Sequence, residues 1–97
     1  MITNDYEEMF KKTCFVEGEK NRLLNGAIGL AGETGEVAEI IKKYIFHGRE
    51  LNKEHLVEEL GDVIWYIMEI ASTIGVSLDT VLQTNIDKLF ERYKNNI

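Results

Sequence analysis

Apolar residues recur at three-and-four spacing along most of the chain, and no segment alternates convincingly at a period of two. The pattern predicts four helices. The first runs from about Asp5 to Phe15, capped by Asn4 or Asp5, with Tyr6, Met9, Phe10 and Thr13 on one face. A polar break follows at Glu17-Gly18-Glu19-Lys20-Asn21. The second helix runs from about Arg22 to Phe46 on a stripe of Leu23, Ala27, Leu30, Val37, Ile41 and Tyr44 or Ile45. His47-Gly48-Arg49 ends it, with cationic side chains near the carboxyl end and a glycine stop. Asn52 caps a third helix, Lys53 to about Ile74, stopped by Gly75. Ser77 caps the fourth, Leu78 to about Tyr93, whose Val81, Leu82, Ile86, Leu89, Phe90 and Tyr93 are expected to face inward. Lys94 to Ile97 is expected to fray.

Short connections favour antiparallel neighbours, so the expected fold is all-α and bundle-like. On the third helix Leu56, Leu60, Val63, Ile67, Ile70 and Ile74 make one apolar face, which Val57, Ile64, Trp65 and Met68 widen. A helix apolar over that much of its circumference is buried on more than one side. In a chain of 97 residues the second burying surface is expected to be another subunit. Gly26, Gly29, Gly32 and Gly35 recur every third residue in the second helix. Each costs roughly 1 kcal/mol against alanine. Close helix approach and room for a ligand both account for them.

Composition narrows the function. The length fits a single domain spanning 1–97. There are no prolines, which suits helices. A net charge of −6 argues against a nucleic acid polymer or an anionic membrane as partner. Cys14 is the only cysteine, so no internal disulfide forms, and a small core residue is its plainest role. Met1 to Asp5 lacks the basic and apolar regions of a signal peptide, and the apolar run Val63 to Met68 is far below the ~20 residues of a membrane span. The expected location is cytoplasmic.

The chemical signal is carboxylate. Glu33-Thr34-Gly35-Glu36 lies on the second helix and Glu59-Leu60-Gly61-Asp62 on the third. Residues three apart share a helix face, so each pair presents two carboxylates side by side. Glu33 falls in the register of Leu30, Val37 and Ile41, where an apolar residue is expected. Glu59 and Asp62 fall beside the apolar arc, while Glu58 and Glu69 are expected farther out and Glu7 is expected to be plain surface charge. Clustered carboxylates near a core repel one another and lose hydration, and a hard divalent cation resolves the conflict. The chain has 17 acidic residues, so one such pair alone is common on a solvated face. Glu39 is ambiguous between surface charge and a site residue, because it lies on the same side as Glu36. No P-loop, nucleophile elbow, HExxH or CxxC competes. His47 and His55 read as surface or capping residues.

Gly29-Leu30-Ala31-Gly32-Glu33-Thr34-Gly35-Glu36-Val37-Ala38-Glu39, then Lys42-Lys43, then Glu58-Glu59-Leu60-Gly61-Asp62-Val63-Ile64-Trp65-Tyr66, resemble the MazG-like nucleotide pyrophosphohydrolases. Ser77-Leu78, Asn85-Ile86-Asp87-Lys88-Leu89 and Arg92-Tyr93 extend the similarity, which covers roughly Tyr6 to Tyr93. The resemblance implies hydrolysis of a nucleoside triphosphate to monophosphate and pyrophosphate, in nucleotide-pool house-cleaning. It implies Mg²⁺, with Mn²⁺ as a substitute, bound by Glu33, Glu36, Glu59 and Asp62. It implies a homodimer or homotetramer. Lys88 and Asn85 are carried over as phosphate or sugar contacts, with Lys42, Lys43 and Arg92 as weaker phosphate candidates. Tyr66 either lines the nucleotide pocket or packs in the core, and Trp65 is expected at an interface or in the core.

Relatives acting on dUTP, dCTP, broad NTP pools and phosphoribosyl-ATP share the paired motif, so base preference stays open between a broad enzyme and a dUTP- or dCTP-specific one. A non-catalytic oligomerisation module would lose one or more of the carboxylates, and all four are present. Metal storage would call for His ligands at i, i+3 from Glu within the helices, and none stands there.

Overall fold

The computed structural model describes Met1–Asn96; the expectation for Ile97 lies outside the described residues. Four helices form, α1 (Thr3–Thr13), α2 (Glu19–Phe46), α3 (Lys53–Thr73) and α4 (Leu78–Tyr93), and no strand occurs among the described residues. The two caps read from the sequence on the later helices are made: Asn52 accepts from the His55 amide and Ser77 from the Thr80 amide. The first cap is not. Helix α1 begins two residues earlier than expected, from Ile2, with no side-chain cap. Helix α2 also begins a turn earlier, at Glu19, because Gly18 turns the chain at φ 92° ahead of the polar stretch.

Helices α2 and α3 pair along much of their length. Gly26 lies against Ile70, Gly29 against Tyr66, and Glu33 near Glu59 and Asp62, so one sequence rises as the other falls and the pair is antiparallel. The glycine repeat divides by position. A Cβ on Gly26 would come within 2.6 Å of Ile70, and one on Gly29 within 2.2 Å of the Tyr66 ring, so these two allow close approach. Gly32 and Gly35 face open space.

Helix α1 lies across the far end of this hairpin, and α3 turns sharply into α4, the two axes meeting at 101°. The core is small: Phe10, Met68, Ala71 and Leu78, with Tyr6, Cys14, Trp65 and Val81 packed against it. The Phe10 and Trp65 rings are 4.9 Å apart, and the indole N–H donates to Thr13 Oγ1 at 2.8 Å. Glu7, read as surface charge, instead accepts the Leu78 amide at 2.7 Å and so holds the start of α4 from α1. Thr3 donates to Asp79 at the same joint.

Helix α2 makes backbone contact with α3 alone among the helices. Leu82, Ile86, Phe90 and Tyr93, expected inward, are all exposed because none of the described residues packs on that side of α4. Val57, Leu60 and Ile64 on α3 are exposed too, as are Ile41, Tyr44, Ile45 and Phe46 toward the end of α2. No single described helix is long and apolar enough to cross a membrane.

Candidate metal centre

The carboxylates meet midway along the α2–α3 pair. Glu33 comes from α2; Glu59 and Asp62 come from α3, one turn apart. One carboxylate oxygen from each of the three lies within 4.8 Å of the others. Glu33 and Glu59 are half-buried and Asp62 is exposed. Glu36 is exposed one turn along α2; it adds to the negative charge felt by Glu33 but stands outside that tight group.

Glu33 carries the strain of the arrangement. Its Oε2 is buried and has no hydrogen-bond partner among the described residues. Its carboxyl is pushed up from 4.5 to about 7, first because a proton on it would be shared with Glu59, then through reduced hydration, then through the charges of Glu59, Asp62 and Glu36. Oxygen acceptors from two helices converge with no donor to satisfy the innermost one. That donor set suits a hard divalent cation, which takes several oxygen ligands.

Aromatic side chains flank the cluster on one side. Glu33, Asp62, Trp65 and Tyr66 line a cavity of about 330 Å³. Tyr66 packs on Gly29, as its core role expects, and also borders this cavity. Trp65, expected only at an interface or in the core, also borders it, with the Tyr66 ring edge-on at 5.2 Å. Tyr6 is a residue that sequence reasoning missed. Burial and then the Asp62 charge raise its phenol above the usual value, which puts α1 beside the cluster. Its helical spacing with Phe10 marked it only as part of one face of the first helix.

The basic candidates divide. Lys42 and Lys43 stay on α2 and reach Glu39 at 3.8 and 3.9 Å, so Glu39 is turned to the lysines. Lys43 also borders a groove that Glu36 enters. Asn85, Lys88 and Arg92 on α4 are exposed and border neither the cavity nor the groove beside the carboxylates, since α4 turns away from the hairpin. Glu69, expected far out, is fully buried. It lies on the face of α3 that meets α2, where Asn25 donates to Oε1 at 2.8 Å and the Cys14 thiol to Oε2 at 3.6 Å.

Over an alignment of 69 positions the chain is 41% identical to the gene 37 protein of Mycobacterium phage L5, covering 67% of this chain and 60% of that one. Over an alignment of 75 positions it is 33% identical to protein YvdC of Bacillus subtilis (strain 168), covering 68% of this chain and 71% of that one. The chain thus spans about three fifths of the phage relative's length. No solved structure matches. Residues 24–97 match the MazG nucleotide pyrophosphohydrolase domain, a span that holds all four motif carboxylates. The chain belongs to the MazG nucleotide pyrophosphohydrolase family.

Proposed function

We propose that the protein is a Mg²⁺-dependent nucleoside triphosphate pyrophosphohydrolase, with residues 1–97 acting as one catalytic unit. The observation that carries this reading is the buried, unpartnered Oε2 of Glu33 among converging carboxylates. Glu33, Glu36, Glu59 and Asp62 would hold the cation, with Mn²⁺ as a substitute. When bound, it lowers the pKa of a coordinated water and neutralises charge on phosphate oxygens. The oxygen of water forms a bond to the α-phosphorus, the bond from that phosphorus to the β-bridging oxygen breaks, and pyrophosphate leaves with the electron pair. One glutamate of the cluster accepts the proton that water gives up. Tyr66 and Trp65 form the wall against which the nucleoside rests.

Incubation with a panel of canonical and modified NTPs and dNTPs, in Mg²⁺ or EDTA, tests the reaction. Metal-dependent release of monophosphate and pyrophosphate is the expected result. The pattern across the panel separates a broad enzyme from a dUTP- or dCTP-specific one. Orthophosphate as the primary product would place cleavage at a terminal phosphate and overturn the reading.

The unit works as a homo-oligomer in this proposal. A compact domain of this length has a radius of gyration of about 12.5 Å, against 16.0 Å here. A monomer of this mass exposes about 5,700 Å², against 7422 Å² here. The excess is of the size that a subunit hides in an extensive dimer interface, roughly 1,000 to 2,500 Å² per partner. Asn85, Lys88 and Arg92 would then serve substrate only where a second copy brings α4 to a carboxylate cluster.

A further inference from the structure

We propose that the groove where α2 ends and α3 begins is the subsite for the terminal phosphates of the substrate, with Arg49 as its principal anion ligand. The inference rests on the nucleotide-hydrolysing reading and assigns one end of the substrate to one side of the carboxylate cluster.

The groove encloses about 280 Å³ and is bordered by Glu36, Lys43, Arg49, Asn52 and His55. It therefore adjoins the carboxylates through Glu36. Gly48, at φ 66°, turns the chain back at the end of α2. The Arg49 amide then donates to the Lys43 carbonyl at 3.4 Å, which fixes Arg49 over the last turn of that helix. Among the described residues, no carboxylate lies within 4.0 Å of the Arg49 guanidinium. Lys43 meets Glu39 only at the outer limit of an ion pair, 3.9 Å, and His55 Nδ1 is 4.0 Å from Glu58. The amino end of α3 opens here as well, and its dipole favours negative charge.

Glu39 and Glu50 border the same groove. They oppose a bare anion, so the ligand is a polyphosphate accompanied by a divalent cation. The two sides of the cluster also differ in chemistry. Trp65 and Tyr66 flank Glu33 and Asp62 on one side, while the groove at Glu36 has cations and, apart from the His55 imidazole, no aromatic ring. A nucleoside suits the first surface. A planar guanidinium that binds phosphate oxygens in pairs suits the second.

Calorimetric titration of the full chain with inorganic tripolyphosphate in Mg²⁺ tests this directly. The wild type is expected to bind. Arg49→Ala is expected to weaken binding roughly ten- to a hundredfold, as removal of a charged hydrogen-bonding partner does, and Arg49→Lys by less. Affinity for a nucleoside monophosphate is expected to be the same in either variant as in the wild type, since that ligand carries no terminal phosphates for Arg49 to hold. Circular dichroism verifies that the helices persist. Equal tripolyphosphate affinity in Arg49→Ala and wild type, or no binding by the wild type, would overturn the proposal. Binding that Arg49→Ala weakens, in a protein that hydrolyses no nucleotide on the panel, would keep the anion subsite and refute the reaction.

Discussion

The Glu33 carboxyl is pushed up to about 7 by its neighbours, which couples protonation to folding. Between about pH 4.5 and 7 the folded chain holds a proton there that the unfolded chain has released. The folded state binds more protons, so stability falls as pH rises through that window and the penalty is complete above it. In EDTA, the melting temperature of the wild type is therefore expected to drop from pH 4.5 to 7.5. Glu33→Gln, which cannot ionise, should give a flatter profile and melt higher than wild type at pH 7.5. Identical profiles would show that Glu33 does not feel the cluster. Removing a ligand has the opposite consequence for catalysis. Deleting even an outer-shell partner of a metal ligand costs about 10- to 100-fold, so Glu36→Gln and Asp62→Asn should each lower turnover by more than about 100-fold with helix content unchanged. Glu36 makes the sharper test, because it stands apart from the tight group of three. Glu69 poses the reverse problem, since it is fully buried and held by Asn25. Asn25→Ala leaves a buried acceptor unserved and should cost about 2–3 kcal/mol in urea denaturation.

Helix pairing decides what each of four similar glycines does. Gly29→Ala drives a Cβ into the Tyr66 ring at 2.2 Å, where the ring must move or the helices must part. Overpacking of this kind costs about 1–3 kcal/mol, and Tyr66 borders the cavity beside Glu33, so substrate affinity should fall with stability. Gly32→Ala meets nothing within 4 Å and should gain up to about 1 kcal/mol of helix stability. Urea midpoints that move in the same direction for both variants would contradict this pairing. The sequence carried the spacing of the repeat but not this division, because helix contact depends on where α3 crosses, and periodicity describes one helix at a time. Glu33, Glu59 and Asp62 were legible for a related reason: Glu33 falls in the apolar register of α2, and Glu59 and Asp62 share a face beside the apolar arc of α3, so an antiparallel pair turns them together, whereas spacing did not show that Glu36 stays outside the group. Glu69 was not, because it is tolerated in the seam only through Asn25 on another helix and Cys14 at the end of α1. Tyr6 was hidden likewise, since its approach to Asp62 depends on how α1 lies across the hairpin.

At the scale of the whole molecule, an apolar stripe on α4 stays uncovered among the described residues. Leu82, Ile86, Phe90 and Tyr93 follow helical spacing as a buried face does, yet between 45% and 58% of each is exposed. Sequence periodicity marks a face that wants burial; it does not say whether the same chain or a second copy buries it. The small core of Phe10, Met68, Ala71 and Leu78 makes the second alternative the stabilising one. Folding is then linked to association, and the melting temperature should rise with protein concentration. Light scattering behind size exclusion should give a multiple of 11.2 kDa for the wild type. Phe90→Glu together with Leu82→Glu places charge on the stripe without touching a residue of the carboxylate cluster. That variant should dissociate, melt lower, and lose its dependence on concentration. It should also lose nucleotide turnover if Lys88 and Arg92, on the same helix, act on substrate only within the assembly. A wild type that scatters as a single chain at all concentrations, with full turnover, would instead require each chain to complete its site alone.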